Sequence, residues 1–538
     1  MSTPAPLLCR TSEPGLRFAI STLILTFAAF ATGCGSSSMS KSSAPVLSGN
    51  TLVTVVLTST ANDQIPQFDV GFQNISLTTQ SGSTVSLLSS PNQAGAEFIH
   101  LNGIAEPLAT NTIPQGIYTS ASITLFGAEF VCIALGPVDG EESLNTDWYS
   151  ILSTAPVTVT VPTPITVTGK SMALSLNLEV AQSATLGDCV NVDGFSGFSL
   201  SPSFSLNPLD LSSMPTSAAN GKVTGTDGQI SAIGMNGTSF TLTVSDLKGP
   251  RSVSVNADGN TVYQGLSGFS ALAMGTFVNM DGAIQTDGSL LATRIAVEDP
   301  FANDIVRGPV IQVANSVSSL FLHAREQQGK DLPGYVSGFG PFTFGSAAFQ
   351  ISGQFTNLKS LPFVPSFTAS NIVPGQEVYI SAASIPNSGG VYPVASTLTL
   401  MPQTINGTVL GSTQAGNFTD YTVTLASYDL FPMLAEQPGQ TTVESNPSEV
   451  EVYVDSHTEL LNSQALAVGG TLRFYGLVFN DNGTLRMDCA QVTDGVAFLP
   501  PPSSSSSQTQ REVVRGIEPS RGGLLHETVS TVIRQHQN

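Results

Sequence analysis

Charge is the scarcest ingredient of this chain. Only 11% of its 538 residues are charged, against roughly 25% in an average soluble domain. Long exposed helices normally carry Glu and Lys along their outer faces, so composition disfavours a helix-rich fold. The 18 Lys and Arg are outnumbered by 39 Asp and Glu, a formal net charge of −21. That balance leaves no basic footprint, and nucleic acid and anionic lipid headgroups are disfavoured as partners. Long hydrophobic runs are also missing. Residues 18–30 form a 13-residue uncharged stretch, too short for a membrane-spanning helix, which needs about 20.

Residues for catalysis are equally sparse. No Gly-x-Ser-x-Gly nucleophile elbow is present. Of five His, His526 and His536 are too far apart for a His-Glu-x-x-His zinc helix. His100 sits beside a strand, His457 occupies a turn, and His323 falls at a polar, outward strand position. Each is expected to be a lone side chain without a second ligand or base. Gly169-Lys170-Ser171 ends like a phosphate-binding loop, but the Gly required five residues earlier is Pro164 and a strand follows, so that reading is rejected.

What the chain does contain begins at its N-terminus. Arg10 and Arg17 precede the apolar stretch, and the small residues Ala31, Thr32 and Gly33 lead into Cys34. This order reads as a secretory signal over 1–33. The run Ala31-Thr32-Gly33-Cys34 resembles the bacterial lipobox, which implies lipidation of Cys34 and membrane attachment through that anchor. The alternative is an ordinary cleaved signal. Residues 34–50, rich in Ser and Gly, read as a flexible tether. Gly35 in place of Asp implies, by analogy with lipoproteins, the outer membrane or cell surface over inner-membrane retention, with a periplasm-facing position as the variant. In an oxidising compartment Cys132 and Cys189 are the pair expected to form a disulfide within the first domain. Cys489 is then unpaired and expected to be a buried thiol.

Fifty Gly and 33 Pro supply turns throughout, and the strands between them alternate. Met172, Leu174, Leu176, Leu178 and Val180 interleave with Ala173, Ser175, Asn177 and Glu179, the period of a half-buried strand. Val53, Val55 and Leu57 give another. Residues 51–208 read as one β domain. Its segments Phe68-Asp69-Val70-Gly71-Phe72, Leu101-Asn102-Gly103, Pro107-Leu108 and Ile113-Pro114-Gln115-Gly116-Ile117-Tyr118-Thr119 resemble an uncharacterised family at the N-terminus of bacterial, often acidobacterial, cell-envelope lipoproteins. The resemblance implies a transthyretin-like or starch-binding-like β-sandwich and an envelope location, and no activity.

Beyond Pro215 the chain repeats itself. Gly221-Lys222-Val223, Gly308-Pro309-Val310 and Gly407-Thr408-Val409 each open a unit, 87 and 99 residues apart. An alternating strand follows, then a second strand leading to Thr261, Thr356 or Thr458, then a Gly-led strand at Gly275, Gly375 or Gly469, and a closing strand. Such spacing is about twice that of solenoid repeats, so the expectation is three tandem small β-barrels of OB-like size, at 219–300, 304–403 and 404–497. These units are similar to a second uncharacterised envelope family, the first most closely. The middle one, with Pro333, Pro341, Pro362 and Pro365, is the most diverged. Residues 498–538, opening on three Pro and five Ser, read as a disordered tail.

Two clusters stand out within the first domain. Asp139, Glu141, Glu142 and Asp147 are read as an acidic loop, solvated by default and a weak candidate for calcium, the one cofactor considered. Trp148 and Tyr149 are candidate glycan contacts, weighed against core packing. The all-β reading therefore favours a non-catalytic binding or scaffolding array in the envelope. An adhesin or glycan-binding surface protein is the alternative, with a cell-surface protein or glycan as partner. A secreted hydrolase would require His and carboxylate side chains from separate domains to converge in one cleft.

Overall fold

A computed structural model describes residues 47–60, 64–88, 94–101, 103–138, 141–151, 156–161, 164–185, 199–244, 249–297, 304–314, 318–329, 339–355, 357–382, 393–427, 429–436, 448–461, 466–494, 512–515 and 532–533. The fold is all-β, as the composition requires. Among the described residues the α-helices are two short ones, Val180–Ser183 and Leu430–Ala435, and no helix is long and apolar enough to cross a membrane.

The N-terminal domain is one curled sheet organised by a 23-residue strand, Gly116–Val138. One edge of that strand pairs with Gln67–Thr79. The other edge pairs in turn with Ile165–Val167, Pro156–Thr160 and Glu141–Ile151. Asn50–Ser59 lies between Glu106–Pro114 and Ser171–Leu178. The sheet curls over a core of Phe68, Phe72, Phe98, Phe130 and Phe204 with Val, Ile and Leu from several of its strands.

Three similar sheets follow. The first orders its strands Arg251–Asn256, Ser239–Val244, Lys222–Ile233, Phe277–Ile284, Leu290–Val297 and Val262–Gln264, and the parallel pairing of Val255 with Leu290 closes it into a barrel. The third repeats this order with Glu449–Val454, Phe418–Leu425, Gln403–Ala415, Thr471–Asp481, Thr484–Asp494 and Glu459–Leu461, closed where Val452 meets Met487. The middle sheet keeps the path through Asp304–Ala314, Glu377–Ala382 and Ala395–Leu400, but among the described residues its ends meet only in an isolated bridge between Thr343 and Val394.

A shared hydrogen-bond pattern fixes the equivalence of the repeats. The first long strand of each is bulged, at Ile230/Ala232, Val310/Gln312 and Val409/Gly411. The bulged carbonyl accepts from the amide of a Gly in a turn: Gly275 to Ile230 (2.8 Å), Gly375 to Val310 (2.7 Å) and Gly469 to Val409 (2.7 Å). All three Gly have φ near +90°, where a side chain is strained. This alignment corrects the opening of the first repeat. The counterpart of Gly308 and Gly407 is Gly228, not Gly221. At each of the three a Cβ would collide with the neighbouring strand, whose carbonyl oxygen is 3.0 Å or less away.

The repeats are not separate beads. Residues from Leu47 onward form one compact unit. Val56, Ala105 and Ala173 of the N-terminal domain join the core of barrel 1, and Phe418, Tyr453, Leu477 and Phe479 of barrel 3 join that of barrel 2. The strand Thr471–Asp481 is consequently buried on both faces. The tail reading also needs correction. Glu512–Arg515 pairs antiparallel with Asp147 to Ser150 and with Val532–Ile533, since Val513 and Val514 suit an open strand edge. The rest of 498–538 lies outside the described residues.

Candidate functional site

The densest chemistry lies where the N-terminal domain meets barrels 1 and 2. Strand Ala94–Glu97 runs into a 3-10 turn, Ile99–Leu101. Glu97 holds that turn: its Oε1 accepts from the amides of Phe68 (2.9 Å) and Ile99 (2.7 Å), and its Oε2 from the amide of His100 (3.0 Å). Phe98 and Leu101 enter the core, while the His100 ring meets three carboxylates. Nδ1 lies 2.9 Å from Glu97 Oε2 and 3.0 Å from Glu326 Oε1, and Nε2 lies 3.1 Å from Glu106 Oε1. His100 is therefore not the lone ring expected. Its partners come from two domains and up to 226 positions away in the sequence.

Guanidinium groups complete the cluster. Arg251 of barrel 1 pairs with Glu106 and donates to the Gly95 carbonyl (2.9 Å). Arg307 of barrel 2 bridges Asp227 of barrel 1 (3.1 Å) and Glu377 (3.2 Å). Arg325 approaches Glu377 (3.5 Å) and Glu97 (4.0 Å). Asn279 donates to Asp227 at 2.7 Å. Five carboxylates thus face three guanidiniums and one imidazole, all nearly buried.

Burial opposes the His100 imidazolium, but Glu326 and Glu106 outweigh it and hold the pKa well above that of a free imidazole. Burial likewise disfavours the Glu326 carboxylate, which His100 and Arg307 nevertheless keep well below the usual carboxylate range. Asp227 goes the other way: burial pushes it up to about 7 against the pull of Arg307 and Asn279. A cationic His100 and a half-protonated Asp227 bring the cluster close to neutrality, the condition under which buried charges are tolerable.

Beside the cluster is a cleft of about 50 Å³ whose lining includes His100, Arg307, Arg325, Glu377, Asp429 and Tyr475. That volume suits one or two water molecules and not a sugar or peptide.

His323 is also corrected. It aligns with Thr243 and Thr424 as expected, opposite Gln229 and Thr408 in their barrels, but it is fully buried. The outer face of barrel 2 packs on the N-terminal domain, and His323 Nε2 donates to Gln67 Oε1 at 2.7 Å. Burial and the nearby Arg325 lower its pKa to about 3, so the ring is neutral. His457 is exposed in its turn, on Asp455.

Three of the four acidic residues lie on a strand and not in a loop. Glu141, Glu142 and Asp147 lie on strand Glu141–Ile151, paired with Val138, Pro137 and Cys132 of the long strand. Five residues along a strand separate Glu142 from Asp147 by roughly 17 Å of backbone. Asp139 lies outside the described residues. Trp148 and Tyr149 occupy the same strand, opposite Val131 and Phe130. Cys132 is disulfide-bonded, while Cys189 and Cys34 lie outside the described residues. Cys489 is a free, buried thiol that burial holds well above its usual pKa.

Residues 227–296 match a family described as Domain of unknown function (DUF5666). The match covers the bulge, both Gly positions and the closing strand of barrel 1. No curated protein matches the chain.

Proposed function

We propose that this chain is a lipid-anchored protein of the bacterial cell envelope whose β body is a non-catalytic platform for binding or scaffolding. The observation that carries the reading is the joining of four β domains into one unit by shared cores and a buried charge cluster. The signal-like N-terminus and Cys34 support export and anchoring. The hairpin bearing Trp148 and Tyr149 is the proposed contact for a glycan or surface protein.

A hydrolase is the second reading, because His100 and carboxylates of separate domains do converge at a cleft. Two features weigh against it. The His100 proton is held by carboxylates, so the ring is a poor base, and the cleft has room for water only.

The platform and the anchor are tested separately. Limited proteolysis should leave one resistant fragment from about residue 47 to 494, and early cleavage between barrels would refute the single platform. Cys34→Ala should release the protein from membranes and end incorporation of labelled fatty acid. Retention of either rules out the anchor.

A further inference from the structure

Nδ1 of His100 carries at most one hydrogen, yet two carboxylate oxygens face it. The nearer of the two is Glu97 Oε2, at 2.9 Å. Glu326 Oε1, at 3.0 Å, has the ion pair but no hydrogen bond, although its residue is 8% exposed. A buried carboxylate oxygen without a donor is costly, and two acceptors aimed at one ring nitrogen need something that can accept both.

We propose that Glu97 Oε2, His100 Nδ1 and Glu326 Oε1 bind a divalent transition-metal ion that ties barrel 2 to the N-terminal domain. The three donor atoms lie within 4.8 Å of one another. Ligands about 2.1 Å from a common ion stand about 3.0 Å apart in an octahedral shell and about 3.4 Å in a tetrahedral one, and Nδ1 is 2.9 and 3.0 Å from the two carboxylate oxygens. The second shell is also in place. A ligating His usually donates its other ring N–H to a carboxylate, and Nε2 faces Glu106 Oε1 at 3.1 Å, itself fixed by Arg251. Glu97 is immobilised by three backbone amides. Charge permits the exchange: the carboxylates of the cluster outnumber its guanidiniums five to three, so a dication in place of the Nδ1 proton is not faced by an excess of positive charge. Two carboxylates and one imidazole suit Zn²⁺, Mn²⁺, Fe²⁺ or Co²⁺ over Ca²⁺ or Mg²⁺, which prefer all-oxygen sites. Binding exchanges the Nδ1 proton, released to solvent, for the ion.

The test uses the full chain, stripped with a chelator and titrated with Zn²⁺, Mn²⁺ and Co²⁺ in a calorimeter. One equivalent should bind. Glu326→Gln should weaken binding about 100-fold or more, and Glu106→Gln about 10- to 100-fold, while Glu142→Gln in the acidic hairpin leaves it unchanged. If Glu326→Gln fails to fold, X-ray absorption on the Zn²⁺-loaded wild type decides, and it should show one imidazole with oxygen ligands at about 2.0–2.2 Å. No stoichiometric binding, undiminished binding by folded Glu326→Gln, loss in Glu142→Gln, or a zinc shell without imidazole would each overturn the site.

Discussion

Barrel 2 and its two neighbours share one chain path, but they spend their residues differently. Barrels 1 and 3 close by parallel pairing and keep a Thr whose hydroxyl donates to the closing strand, Thr261 to the Ala292 carbonyl (2.8 Å) and Thr458 to that of Cys489 (2.7 Å). Barrel 2 has Phe344 and Ala347 in the corresponding turn, where Ala347 takes the place of the Thr, and among the described residues it closes only through an isolated bridge. In exchange its strands and their connections carry Arg307, His323, Arg325, Glu326 and Glu377, all buried against other domains. Divergence in the middle repeat is the signature of its role as hub. Self-sufficiency has been given up for contact with three neighbours.

Truncation probes that contrast most severely. Residues 219–300 contain a closed barrel with its own core, so expressed alone they should give a β-type circular dichroism spectrum and a cooperative melt. Residues 304–403 alone should be unfolded or aggregated, because Phe418, Tyr453, Leu477 and Phe479 are missing from their core. A folded, monomeric 304–403 would remove the distinction. Barrel 1 in isolation should still be less stable than in the whole chain, since Arg251 loses Glu106 and Asp227 loses Arg307.

A single substitution comes next in size. Arg307→Ala leaves Asp227 and Glu377 buried without their shared cation, and breaking such a pair costs about 3–5 kcal/mol. Denaturant unfolding of the full chain should show the loss, and a change below about 1 kcal/mol would mean that water reaches the junction. Asp227→Asn tests the same contact by pH. The raised Asp227 pKa contributes stability that is present below about pH 4 and lost as pH rises through about 7. Wild type should therefore weaken between pH 5 and 8 more than the Asn variant does.

The turn glycines separate covered from open copies of one motif. All three sit at positive φ, so Ala costs about 1–2 kcal/mol at any of them. At Gly469 a Cβ meets nothing within 4 Å, whereas at Gly375 it would lie 2.7 Å from the Phe431 ring and 3.0 Å from its carbonyl. Gly375→Ala should be the more damaging by at least about 1 kcal/mol, and equal melting shifts would show that the helix Leu430–Ala435 is free to move.

These contrasts mark what was legible in the sequence. Period-two alternation exposed the strands, and the turn residues Gly275, Gly375 and Gly469 and the Thr of the two closed barrels exposed the repeats, because backbone geometry demands those residue types locally. The opening Gly of the first unit was misplaced by seven residues, since only cross-strand pairing distinguishes Gly228 from Gly221. The charge cluster stayed hidden for a different reason. Alternation tells which residues face out of a barrel and not what covers that outer face, so His323 read as solvent-facing and His100 as solitary. One local signal was available. Glu97 and His100 are three apart around a turn, in a chain where every charged residue is rare.

The smallest test asks whether barrels 1 and 3 are energetic as well as geometric equivalents. In each, an Asp-x-x-Thr turn folds on itself: the amide of Asp258 donates to Thr261 Oγ1 (3.0 Å) and that of Asp455 to Thr458 Oγ1 (3.1 Å). The same hydroxyl then donates to the closing strand, so one oxygen ties the turn to the strand that seals the barrel. Thr→Val keeps the shape and removes both bonds, at a cost of about 1–2 kcal/mol. Thr261→Val and Thr458→Val should lower the unfolding midpoint by similar amounts, and the double variant should show nearly the sum, since the two turns share no partners. A large effect at one site and none at the other would show that the neighbours, and not the turn, hold that barrel closed.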